Sequence, residues 1–206
     1  MTAPLPDTAP LTAPLPDWVI PPPEGFSADD FLRMSGLPPH TELIDGSLVF
    51  VSPQRKWHSG VVGRFWVELD AQAPEGWRAD REMALKVGVR QVPEPDVLVV
   101  QEEAFLRKEP DTYYLPEEVL LVIEAVSPDS EERDRETKPG KYARAGVPHF
   151  WRIEEADGDS AVVYAYEFDP ATRAYGVAGI HHDRFKVSSP FPVDIDLKEI
   201  RRKRAR

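Results

Sequence analysis

The chain has 206 residues, 41% hydrophobic and 30% charged, which is the balance of a soluble globular protein long enough for one sizeable core. Its net charge of −11 speaks against general affinity for nucleic acid, because backbone binding draws on Lys and Arg neutralising phosphates. The absence of cysteine excludes disulfides and thiolate metal sites and suits a reducing cytosol. With five histidines and no HExxH spacing, a zinc protease is a poor fit; without a long apolar stretch or a basic-then-apolar leader, a cytoplasmic protein with no membrane partner is expected.

Residues 1–26 form a Pro-rich leader. TAPLPD occurs at Thr2–Asp7 and again at Thr12–Asp17, and eight of the 22 prolines precede Gly25. That composition favours extended, disordered chain, either a solvated leader or a docking tail, with Trp18, Val19 and Ile20 available to tack its end onto the domain. A single domain is expected over 27–198. Ser27 reads as an N-cap with acids behind it, predicting a short helix to about Ser35. Thr41–Ser52 reads as a hairpin turning at Asp45-Gly46. Val61, Val62, Phe65, Trp66 and Leu69 make a helical stripe within His58–Ala73.

Strands are predicted at Trp77–Val89, Asp96–Val100 and Val119–Val126. Glu131–Ala145 is helical in pattern but interrupted by Pro139-Gly140, so a helix capped by Thr137 and closed by Gly146 is expected. Strands follow at His149–Glu154, Ala161–Phe168, Ala174–Ile180 and Arg184–Val187, with Asp157-Gly158 and Asp169-Pro170 as turns. The outline is α/β (α+β), a mixed sheet with helices. Residues 199–206 form a basic tail ending in RRKRAR, which could neutralise phosphates or serve only as a solubilising end; without its five basic groups the remainder is more acidic still.

The chemistry concentrates at Val119–Lys138. Val119-Leu120-Leu121-Val122-Ile123 reads as a strand buried on both faces, with Glu124 directly behind it. A buried carboxylate is costly unless something positive meets it. Upstream, Asp96 opens the apolar run VLVV. Two acids at the apolar strands of one sheet are how a hard cation such as Mg²⁺ is held, since it takes one or two carboxylates and several waters. The competing reading makes Asp96 a strand-end aspartate and Glu124 a partner in a structural ion pair.

Five segments in order strengthen the first reading: ELIDG at Glu42–Gly46, His58 at a helix start, PDVLVV at Pro95–Val100, VIEAVSP at Val122–Pro128, and DRETKPGKYARAGVPHFWRI at Asp134–Ile153. Over residues 27–185 they resemble the Uma-type (Uma-two) restriction endonuclease family, a branch of the PD-(D/E)XK nuclease superfamily. The resemblance implies a restriction-endonuclease-like sheet core flanked by helices, with an N-terminal β-hairpin. It further implies a Mg²⁺- or Mn²⁺-dependent endonuclease acting on double-stranded DNA, working as a homodimer. Asp96 and Glu124 become the metal-holding acids. The superfamily's lysine, two residues after the second acid, would fall on Val126; the resemblance moves it to Lys138, with Lys141 and Lys86 as rivals.

Glu42 resembles the family's leading acid, with an exposed hairpin glutamate as the alternative; His58 could contact phosphate or move protons, although a histidine at a helix start is commonly just polar surface. Trp57, Trp66, Tyr142, Phe150 and Trp151 read as core or subunit-contact residues, with base stacking an alternative for Trp57. The displaced lysine and the acidic charge leave a second reading open, a nuclease fold without catalysis that acts as a binding or regulatory module.

Overall fold

A computed structural model describes residues 20–157, 160–198 and 200. The TAPLPD repeats, Trp18, Val19, Gly158 and RRKRAR lie outside the described residues. Ile20 is largely exposed, whereas Phe26 is already buried in the core.

Ser27 caps α1 (Ala28–Arg33): its hydroxyl accepts the Asp30 N–H, and Asp29 and Asp30 occupy the first turn. β1 (Glu42–Ile44) and β2 (Ser47–Val49) form the expected hairpin. Asp45 and Gly46, at φ 54° and 81°, both take the left-handed backbone that such a two-residue turn requires. A Cβ on Gly46 would meet Arg90 Cδ and Gly25 Cα at 3.2 Å. Strain and crowding therefore coincide, and Gly46→Ala is expected to cost about 1 kcal/mol and lower the melting temperature by roughly 2–4 °C, read by thermal denaturation.

α2 (Lys56–Gln72) lays Trp57, Val61, Val62, Phe65 and Leu69 on the sheet. The single strand predicted over Trp77–Val89 is two: β3 (Trp77–Arg81) and β4 (Ala84–Leu85). Glu82, at φ 53°, turns the chain out of the ladder while its N–H reaches Asp96 O, so β4 leaves to pair in parallel with β6 (Tyr113–Tyr114). Between them run β5 (Val97–Gln101) and α3 (Glu102–Leu106), the latter unanticipated because it spans barely more than one turn.

β7 (Val119–Ala125) follows, and then a π-helical turn over Arg133–Thr137 that runs straight into α4 (Lys138–Ala145). α4 begins directly after Thr137 with Pro139 in its first turn, as expected, but no break precedes it and the Thr137 side chain makes no capping hydrogen bond. Thr137 is itself helical, at φ −78° and ψ −55°. Pro139 would crowd the carbonyl four residues back, and the wider turn takes up that conflict without ending the helix. Gly146 closes α4 at φ 85°, as its left-handed freedom allows.

β8 (His149–Glu155), β9 (Ala161–Asp169), β10 (Ala174–His181), β11 (Arg184–Val187) and β12 (Val193–Asp196) complete the chain. β12 was not predicted. The central sheet has the order β10-β9-β8-β7-β5-β3, antiparallel throughout except for the β7–β8 step. α2 and the β11–β12 ribbon cover one face through Phe65, Trp151, Phe185 and Ile195. α4 and the β4–β6 pair cover the other through Leu98, Val122, Tyr142 and Phe150. The fold is therefore the expected mixed α+β sheet flanked by helices, with an N-terminal hairpin. Among the described residues no helix is long and apolar enough to cross a membrane.

Candidate active site

Strand alternation aims the acids. On β7, Leu121, Ile123 and Ala125 face α2, so Val122 and Glu124 face α4. Val97 and Val99 face α2 in the same way, which puts Asp96, just before β5, on the α4 side. β5 and β7 are antiparallel neighbours, with Val97 opposite Ile123, so the two acids stand side by side. Asp96 Oδ2 accepts the Ala125 N–H at 2.7 Å, and Asp96 Oδ1 lies 3.1 Å from His58 Nε2.

α4 supplies the counter-charge. Asp134 in the π-helical turn and Lys138 and Tyr142 on α4 recur every four residues; Lys138 and Tyr142 reach Glu124, and Asp134 reaches Lys138. The Lys138 ammonium lies 3.2 Å from both Glu124 carboxylate oxygens, 2.9 Å from Glu42 Oε1 and 3.3 Å from Asp134 Oδ1. Tyr142 donates its hydroxyl proton to Glu124 Oε1. Glu42 Oε1 also accepts the Glu94 N–H at 2.8 Å, which ties the hairpin to the approach to β5. Glu42, Glu124, Asp134 and Lys138 are each 5% exposed or less.

Asp96, Glu124, Lys138, Glu42 and His58 thus converge on one small cavity that opens to solvent. Lys141 does not join them, because it holds Asp45 at 2.8 Å. Lys86 pairs with Asp29 instead. Val126, where the superfamily pattern would place a lysine, extends the ladder to Ile153 O. Trp57 is 4% exposed and packed in the core, which removes the stacking alternative.

Two residues that the sequence reading did not place in the site belong to it. Asp134 is hidden among the charges of DSEERDRE, and only its spacing of four from Lys138 could have marked it. Tyr142 was expected as a core or contact residue; it fills the core and also bonds Glu124.

Six carboxyls line the cavity (Glu42, Glu82, Glu94, Asp96, Glu124 and Asp134) against the fixed cations Lys138 and Arg133. Burial holds the Glu124 carboxyl well above the usual range; the Lys138 ammonium pulls it down, but Asp134, Asp96 and Glu42 push it back up. Burial disfavours the Lys138 charge, yet those four acids outweigh it and the ammonium is retained well above its ordinary range. Burial likewise raises Asp134, only partly offset by Lys138. For His58 burial is the largest influence and lowers it, while the hydrogen bond and charge of Asp96, with Asp134 and Glu82, raise it overall.

A cavity this acidic favours a further cation. Asp134 Oδ1 is buried with the Lys138 ion pair but no hydrogen bond, and the donors are hard carboxylate oxygens. Among the described residues, no three His, Asp or Glu side chains are already arranged around a point as metal ligands. The set fits a cation held by one or two carboxylates and water, and does not make an all-protein cage.

The profile of the Uma2 family, described as "Putative restriction endonuclease", matches residues 28–195. The fold is similar to a crystal structure described as that of a "putative nuclease belonging to DUF820" from Anabaena variabilis, with a TM-score of 0.68 and 18% identity, covering 85% of this chain and 97% of the other. No curated protein matches the chain.

Proposed function

The chain belongs to the Uma2 family, and from that premise we propose that it is a divalent-metal-dependent endonuclease hydrolysing phosphodiester bonds in double-stranded DNA. A nuclease is what the family and the structural neighbour both support. The observation that carries the finer reading is the meeting of Asp96 and Glu124 with the Lys138 ammonium on one open cavity. Residues 27–198 are taken as the nuclease domain, between leader and tail. Cutting both strands of a duplex calls for two centres, so a homodimer is part of the proposal.

Asp96 and Glu124 are the residues that would hold Mg²⁺ or Mn²⁺. Such an ion, when bound, supplies Lewis-acid polarisation of the phosphate and lowers the pKa of a water. The Ala125 N–H and His58 fix the two oxygens of Asp96. Glu42 and Asp134 hold the Lys138 ammonium beside Glu124, where its positive charge can offset the negative charge that builds on the phosphate oxygens. His58, with its pKa raised, can keep a proton at Nε2 against Asp96.

Plasmid nicking tests this. The wild-type protein is expected to nick supercoiled DNA with Mg²⁺ or Mn²⁺, and Asp96→Ala to lose activity by about a hundredfold or more, the scale on which preorganised charge stabilisation acts. Equal inactivity of both proteins across metals and substrates would remove the catalytic reading. It would favour a nuclease fold that serves as a binding module, for which the ammonium already seated among the acids is the supporting feature.

A further inference from the structure

The catalytic cavity has two unlike walls. One carries Glu42, Glu82 and Glu94, a surface that repels a polyanion. The other carries Arg133 and opens into a second groove, formed where the residues before α2 (Val51, Gln54, Arg55) approach Ser127, Asp129 and Ser130, with one acid against two arginines. Arg133, Gln54, Ser130 and Val51 line both spaces, so the groove is a continuation of the cavity.

Arg133 has an unusual status in so acidic a chain, with 36 Asp and Glu against 25 Lys and Arg. Its neighbours are committed: Arg135 is held by Glu131 and Glu154, and Arg55 by Glu155. Among the described residues Arg133 makes no ion pair and no side-chain hydrogen bond, and its Nε is buried without a partner. A buried donor left unpaired is costly, and a guanidinium offers the planar fork that matches phosphate oxygens.

We propose that Arg133 binds a backbone phosphate of the nucleic acid next to the scissile one and directs the strand out of the cavity along the Gln54–Ser127 groove. This rests on the nuclease reading and adds the path of the substrate to it. Arg133 here seats the substrate; it does not touch the bond that breaks.

The test compares wild type, Arg133→Gln and Arg133→Lys on a fluorescein-labelled 20-base-pair duplex, by anisotropy over a range of salt with Ca²⁺ in place of Mg²⁺, and by steady-state nicking with Mg²⁺. Arg133→Gln should weaken binding about tenfold and flatten the slope of log affinity against log salt by about one. KM should rise about as much as affinity falls, with a smaller change in kcat. Arg133→Lys should recover the salt slope but only part of the affinity, because it restores charge without the fork. Unchanged affinity, slope and KM in Arg133→Gln, beside an active wild type, would overturn this assignment and leave the nuclease reading standing. A wild type that neither binds nor nicks the duplex would bring down both.

Discussion

Lys138→Met is expected to lower folding stability by about 3–5 kcal/mol and to abolish nicking. The substitution keeps most of the side chain's length and apolar stem, so the loss is chiefly that of the charge. It would strand Glu42, Glu124 and Asp134, all within 3.3 Å of the ammonium and all nearly excluded from water. Removing one member of a buried ion cluster leaves the others uncompensated, which costs on that scale, and a domain has only about 5–15 kcal/mol to lose. Urea denaturation measures it. Glu124→Gln introduced into the same chain should recover part of the loss, because it removes one of the stranded charges. Millimolar Mg²⁺ should raise the denaturation midpoint of Lys138→Met more than that of wild type, since the three acids have then lost the cation in contact with them. A loss below about 1 kcal/mol would show that the three acids do not depend on the ammonium.

The second large effect lies beneath the site. Phe150, on β8, is 1% exposed and sits among three tyrosine rings: Tyr142 at 6.0 Å, Tyr166 at 5.5 Å and Tyr175 at 5.6 Å between centroids. Tyr142 connects this stack to Glu124 and carries α4 with it. Phe150→Ala should cost about 3–5 kcal/mol through lost burial and the cavity left behind. For a domain of this size that is a fall in melting temperature on the order of 10 °C. Phe150→Leu, which keeps most of the volume, should lose much less. If the alanine variant melted within a degree or two of wild type, this aromatic stack could not be what seats α4 on the sheet.

Much of this arrangement was legible in the sequence, for reasons that differ from residue to residue. Glu124 stood out because a charge inside a run of β-branched and apolar residues demands an explanation. Asp96 followed because its own apolar run lies one strand away, and Lys138 came from the family pattern. Glu42 was harder: a hairpin glutamate is ordinarily solvated, and this one is buried only because β1 docks through Leu43 against Val92, a pairing across distant segments. Asp134 was hidden for the same reason, since its burial exists only once α4 lies on the sheet. The π-helical turn has no local signature beyond Pro139, and β4 and β6 are two-residue strands that exist only by pairing across distant segments. Local pattern reports local preference; these elements are decided by docking.

The parallel step between β7 and β8 forces the chain to leave the sheet after Ala125 and return across its face through α4. Glu124 therefore belongs to the ladder, whereas Asp134, Lys138 and Tyr142 belong to the crossover. These two parts need not open together: a segment such as 127–145 can detach from the sheet at a lower free energy than global unfolding, in the manner of a local cooperative unit. The centre then has a stability of its own. An event too small to register in a melting curve, whether a change of solvent, a bound partner or a substitution on the outer side of the crossover, would part Glu124 from Asp134, Lys138 and Tyr142 while leaving the six strands in place.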